Sequence, residues 1–224
     1  IGRAGRLVAL LSGGGAICYI FSLLATTVAN TMIVLSVTPL CTALLAWAVI
    51  DERVRMANWI AIVGAVAGVA LMFAQGFTEA RVVGSLFAFG AALGLAAMLV
   101  IIRRAKTVDM LPAICLGGVF SALTAAAMTN NSFVVSAHDL GLLILLGAVQ
   151  IGGGFTLLTL GARLVPAAQV SMLALTEILL APLWVWLAVD EIPTALTLTG
   201  GAVVLAAVVG QALAGLADER RGVT

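Results

Sequence analysis

Charge is what this 224-residue chain has least of. Asp, Glu, Lys and Arg make up 9% of it, where a soluble domain carries about a quarter. A surface so poor in charge does not hold a domain in water, so no soluble core explains the sequence. The two signs nearly cancel, to a net charge of +1. That removes the basic footprint of a nucleic-acid binder and any strong pull toward an acidic partner. There is one histidine and there are three cysteines. Cys18, Cys41 and Cys115 all fall inside apolar stretches, where they read as small packing residues rather than a disulfide or a metal site. No cofactor and no metal is expected.

What is there instead is apolar. Hydrophobic residues make up 63% of the chain and the mean hydropathy is +1.23. They come in runs free of charge: Leu7–Ile50, Met56–Thr78, Val82–Ile102, Met110–Ala137, Leu140–Ala162, Leu164–Val189 (interrupted by Glu177) and Ile192–Ala217. A membrane-spanning helix needs about 20 apolar residues. The first run is long enough for two, with a turn near Thr26–Asn30, and every other run supplies one. The reading is an all-α membrane protein with eight transmembrane helices. Barrel strands are shorter and alternate in polarity, which these runs do not. Arg3 and Arg6 precede a span of full length, which is not the layout of a cleaved signal peptide.

With the N-terminus placed in the cytoplasm, the inner ends of the spans hold Arg3, Arg6, Arg53, Arg55, Arg103, Arg104, Lys106, Arg163, Arg220 and Arg221. Of the positive residues only Arg81 falls outside, a strong positive-inside bias. Both ends of the chain are then cytoplasmic, in a multi-pass protein of the cell membrane.

A motif recurs across this layout. WAVIDERV starts at Trp47 and WLAVDEIP at Trp186, an offset of 186 − 47 = 139. The same offset carries Gly13-Gly14-Gly15 onto Gly152-Gly153-Gly154 and Asn30 onto Gln169, without a gap. Asp51-Glu52 falls on the cytoplasmic side and Asp190-Glu191 outside. Arg53 and Arg55 flank the first pair, whereas the second has Ile192 and Thr194. One unit thus appears twice in opposite orientations, each copy edited for the side it faces. An inverted unit needs an odd number of spans. Residues 79–224 hold five, and residues 1–78 hold three, so the first unit is expected to begin two helices upstream.

The stretches LSVTPLCTALLAWAVIDER and NWIAIVGAVAGVALM, with their second copies SMLALTEILLAPLWVWLAVDE and TLTGGAVVLAAVVG, resemble EamA-type members of the drug/metabolite transporter superfamily. The resemblance implies ten helices in two inverted five-helix repeats. It also implies export or exchange of small metabolites, such as amino acids, across the cytoplasmic membrane. One departure is that Pro182 lies a turn beyond Ile178, the position matching Pro39.

The candidate site residues are Glu177, Thr38, Pro39, Tyr19, Gln150, Gly14 and Gly153. Glu177 is the one ionisable residue in mid-span, where a bare charge costs roughly 2.5–3.5 kcal/mol. It is read either as a proton-coupling or amine-binding group facing a wet cavity, or as a carboxyl bonded to a neighbouring helix. Thr38 is its partner position. Pro39 and Pro182 each interrupt a span in matching halves, which points to a midplane site in a transporter; extra proline in membrane helices is the plainer reading. The glycine triplets suggest close helix contact or a flexible site. Tyr19 and Gln150, near them, are read as cavity residues or interhelical hydrogen-bonders. Trp47, Trp184 and Trp186 belong to an interfacial aromatic belt, and His138 to a solvated external loop.

The leading reading is a secondary transporter working by alternating access, with a proton as one candidate coupling ion. A membrane-embedded enzyme would need a nucleophile and base, paired acids or metal ligands at depth, and the spans hold one acid. A passive channel would show rings of like groups about an axis. The expected partners are a small-molecule metabolite and the lipid bilayer, with no nucleic acid; a homodimer is left open.

Overall fold

The computed structural model describes residues 2–52, 54–72, 74, 82–105, 107–128, 136–189 and 194–220, with side chains for all of these but 29, 178–179, 181–186, 188–189, 211–212 and 214–220. Apart from short connections, the described residues are helical, and none is in a strand. The helices are α1 (Arg3–Ala25), α2 (Val28–Leu35), α3 (Thr38–Ile50), α4 (Met56–Met72), α5 (Val82–Arg104), α6 (Leu111–Met128), α7 (Ala137–Leu145), α8 (Gly154–Leu164), α9 (Ala167–Val189) and α10 (Ala195–Arg220). A π-helical segment, Leu146–Gly153, joins α7 to α8.

Among the described residues, five helical stretches are long and apolar enough to cross a membrane: α1, Asn30–Ile50, α5, α6 and Ala137–Leu164. Two shorter apolar helices, Met56–Met72 and Ala195–Gly210, join them. At 1.5 Å per residue, the 17 residues of α4 rise about 26 Å, at the lower limit for a span. The fold is that of a multi-pass α-helical membrane protein.

Each joint has a local cause. Two β-branched residues, Thr26 and Thr27, adopt extended backbone between α1 and α2, and the Thr27 hydroxyl caps α2 by accepting the Asn30 N–H. Pro39 breaks the next span. With no N–H, it cannot donate to the carbonyl four residues back, on Leu35. The Thr38 hydroxyl donates to that carbonyl instead, at 2.6 Å, and the Ser36 hydroxyl donates to the Ile33 carbonyl. The chain turns at Ser36 and Val37 and restarts as α3. Asp51 ends α3 in the left-handed region, φ 53°. From there its own N–H and that of Glu52 both donate to the Ala46 carbonyl, a Schellman-type stop in which Asp takes the place usual for Gly. Ser136 caps α7 by accepting the Asp139 N–H and donating to its carboxylate. His138 therefore lies in the first turn of α7, exposed, rather than in a loop.

The 139-residue offset reappears in the helix ends. α1 ends at Ala25 and α8 at Leu164; the α2–α3 span runs from Val28 to Ile50 and α9 from Ala167 to Val189; α4 begins at Met56 and α10 at Ala195. Each pair differs by 139.

Packing rests on small residues, as between membrane helices where no water drives association. A Cβ on Gly13 would lie 2.5 Å from the Gly117 carbonyl oxygen, and one on Gly94 would lie 3.4 Å from Gly15 Cα. Thus α1 crosses α6 and α5 at backbone distance. α4 and α10 cross likewise, with Gly68 and Gly200 each blocked by the other's carbonyl. One core gathers Val8, Ala46, Met98, Leu99, Ile102, Met110 and Ala162. A second gathers Ala43, Ile62, Ala65, Val69, Met172 and Val204. By contrast, every residue from 136 to 152 is exposed.

Candidate functional site

The predicted site residues divide by environment. Thr38 and Pro39 are buried, Thr38 at 4% exposure. Its hydroxyl is engaged by the Leu35 carbonyl, and its own carbonyl accepts from Thr42 at 2.8 Å. The pair forms the break in the span. Pro182 lies within the uninterrupted helix α9, so the expectation of two interrupted spans holds for one only.

Glu177 is exposed on α9, on the same helical face as exposed Leu173 and Leu180. It makes no hydrogen bond among the described residues. Its carboxylate is close enough to act electrostatically on the hydroxyl of Tyr19, which is half-buried on α1. Phe21, two residues on from Tyr19, stacks on Phe87 of α5 with ring centroids 5.3 Å apart. Gln150 lies in the π segment, exposed, beside an apolar hollow lined by Leu142, Leu146 and Val149. Gly14 and Gly153 have open space where a Cβ would stand. Their neighbour Gly13 is the one in close contact. The π segment coincides with the second triplet, whereas α1 runs through the first unbroken. π turns recur at functional sites. Among the described residues, no cluster of His, Cys, Asp or Glu could hold a metal ion.

Two polar networks that the sequence did not single out sit at the two ends of the helices. At one end, Glu52 Oε1 lies 3.8 Å from Arg103 Nε, and Arg103 donates from Nη1 to the Arg163 carbonyl at 2.9 Å. Arg163 in turn donates from Nη2 to Asp109 Oδ1 at 2.9 Å and to the Val108 carbonyl at 2.7 Å. The ends of α3, α5 and α8 and the α5–α6 loop are thereby strung together. Glu52 and Arg103 face an open cavity of about 730 Å³, shared with Trp47, Asp51 and Arg104. Trp47 is 59% exposed beside them, as an interfacial aromatic would be. The side chains of Trp184 and Trp186 lie outside the described residues.

At the opposite end the network is neutral. The Ser22 and Thr31 hydroxyls share a hydrogen bond of 2.8 Å, both fully buried. Asn30 donates to Ser85 at 2.8 Å and to Thr26 at 3.2 Å. Gly84, next to Ser85, lets α5 approach so closely that a Cβ there would be 2.5 Å from Thr26 Cβ. The ends of α1, α2 and α5 are pinned without a charge. The sequence signal for both networks was weak: Asn30 stood out only as the repeat partner of Gln169, Glu52 as part of the recurring Asp-Glu motif, and Arg103 and Arg163 as topology markers, while Asp109 carried no signal.

Comparison with known proteins locates the chain. One solved structure, titled "Crystal structure of protein", superposes with a TM-score of 0.77 over 95% of this chain and 88% of its own, at 18% identity. At that identity the match speaks for the fold alone. No curated protein matches. Residues 4–74, which run from α1 through α4, match the model of the EamA-like transporter family, so this third of a multi-pass membrane chain is similar to that family.

Proposed function

We propose that this chain is the larger part of a secondary transporter that exports or exchanges small metabolites, amino acids or related compounds, by alternating access between two inverted units. The observation that carries this reading is the offset of 139 in the helix boundaries of α1–α4 and α8–α10. Two halves of like architecture around a shared centre are the frame of alternating access. In this reading residues 1–78 are the last three helices of the first unit and residues 79–224 the five of the second.

The packing supports two further helices in the first unit. α1 packs on α5 and α6, the first helices of the second unit, through Gly13, Gly15, Gly94 and Gly117. Its repeat equivalent, the α7–α8 span, has the bare face at residues 136–152. Equivalents of α5 and α6 would cover that face, giving the ten helices of the 5+5 scheme. The charged network fits the orientation, because Glu52, Arg103, Arg163 and Asp109 meet at one end of the helices, the end assigned to the cytoplasm.

Tyr19 and Glu177 form the centre of the transport site, with Glu177 as counter-charge to a substrate amine or as proton carrier. The test is transport by the full-length protein in proteoliposomes. Glu177→Gln keeps size and hydrogen bonding, so it is expected to preserve the fold, abolish transport driven by a pH gradient and leave exchange of substrate without a gradient. Wild-type gradient-driven flux in this variant would remove Glu177 from the coupling.

A further inference from the structure

One helix of the first unit carries three features that belong to a single moving part, and this inference rests on the transporter reading above. α2 is held at the outer end by Ser22–Thr31 and by Asn30–Ser85. The span then breaks at Ser36–Val37, where Pro39 has removed a backbone bond and side-chain hydroxyls satisfy the freed carbonyls. Beyond the break, the buried face of α3 is built from small residues, Cys41, Thr42, Ala43 and Ala46. Its larger residues, Leu40, Leu45 and Ile50, are only partly buried where they pack against the two cores. The far end of α3 is tied to the second unit by Glu52 and Arg103.

We infer that α3 is the cytoplasmic gate arm: pinned through α2 at the outer end, hinged at Ser36–Pro39, and latched shut by the Glu52–Arg103 ion pair. Asp51 serves the latch by geometry. Its left-handed backbone stops α3 and turns the chain so that Glu52 leaves the helix axis toward α5. The latch is weak by construction. The Nε–Oε1 distance is 3.8 Å, both side chains keep more than a fifth of their exposure, and Glu52 Oε2 is buried with no hydrogen-bond partner among the described residues. An ion pair at this distance, with both partners still partly exposed, contributes little, and a gate that opens in every cycle requires a closing contact of that size. The open cavity beside the pair gives water and solutes access to it. The repeat equivalent, α9, is unbroken from Ala167 to Val189, so the arm is a property of the first unit.

The experiment uses the full-length protein in inside-out membrane vesicles, with Cys18, Cys41 and Cys115 replaced. A reporter cysteine replaces Ala46, which is 1% exposed in the first core and close to the end of α3. Labelling by an impermeant thiol reagent is expected to be slow in the parent and about three- to five-fold faster with Glu52→Gln or Arg103→Gln, the range that loss of one long, partly exposed ion pair allows. The double exchange Glu52→Arg with Arg103→Glu should return the parent rate. Arg104→Gln, which removes an exposed charge one residue from Arg103, should leave it unchanged. A disulfide between Glu52→Cys and Arg103→Cys, formed in a protein without the reporter, should stop transport, and reduction should restore it. An unchanged rate in Glu52→Gln, equal acceleration by Arg104→Gln, or a double exchange that fails to restore the parent rate overturns the latch. Labelling only from right-side-out vesicles would overturn the assigned orientation instead, and so separates failure of the latch from failure of the transporter reading.

Discussion

The two stretches offset by 139 residues, α1–α4 and α8–α10, share helix boundaries and differ in what fills them. In the first copy the middle span is broken, and its polar residue at the Glu177 level, Thr38, is buried and bonded to the backbone. In the second the span is continuous and the equivalent residue is an exposed carboxylate. The glycine triplet of the first copy lies in a backbone-close crossing, whereas the second coincides with a π segment in open surroundings. Boundaries follow from caps, prolines and apolar length, which duplication copies with the sequence. Interiors follow from neighbours, and the two copies have different neighbours.

The largest expected effect tests the glycine triplets. Gly13→Leu drives a side chain into the Gly117 carbonyl and the Phe120 ring, which should cost about 3 kcal/mol or more and deplete folded protein. Gly153→Leu, with nothing within 4 Å of its Cβ position, should stay within about 0.5 kcal/mol. Thermal unfolding in detergent, read with size-exclusion recovery, checks both. Equal losses would mean that the second triplet is packed as closely as the first.

A smaller difference separates the two threonines beside the mid-span positions. Thr38→Val leaves the Leu35 carbonyl without a donor in a buried break, so a loss of about 1–2 kcal/mol is expected. Thr176 also donates to a carbonyl, that of Leu173. Residue 177 has a backbone N–H to serve that carbonyl in the helix, so Thr176→Val should change stability by less than about 0.5 kcal/mol. Comparable losses in the two melting curves would show that the proline break is not what makes Thr38 necessary.

The smallest effect is a gain. Gly14→Ala, in open space within a helix, should stabilise by about 0.5–1 kcal/mol, the ordinary helix preference of alanine over glycine. Gly13→Ala, one residue away, should destabilise, because its Cβ would lie 2.5 Å from the Gly117 carbonyl oxygen. The same unfolding assay reads both, and a gain in each would break the assigned crossing of α1 over α6.

Apolar length and the offset of 139 were enough to read where the helices lie and in what order directly from the chain, because each is a property of position along it; the orientation proposed above rests on the skew of arginines. The motif Asp51-Glu52 was legible in the same way, as the end of a span. The fate of individual polar groups was not. Thr38 was expected in a cavity and lies under a proline-freed carbonyl, since the hydroxyl and the carbonyl three residues back meet only once the helix breaks. Nothing in the sequence paired Glu52 with Arg103 or Asp109 with Arg163; only the bundling of α3, α5 and α8 brings them together. Likewise, Tyr19 and Glu177 are 158 residues apart in the chain (177 − 19) and within electrostatic reach across the fold. A one-dimensional pattern determines which faces are apolar and where helices stop. Which polar atom meets which depends on helix crossings at Gly13, Gly68, Gly94, Gly117 and Gly200, where backbones approach to distances set by the absence of a side chain on both partners.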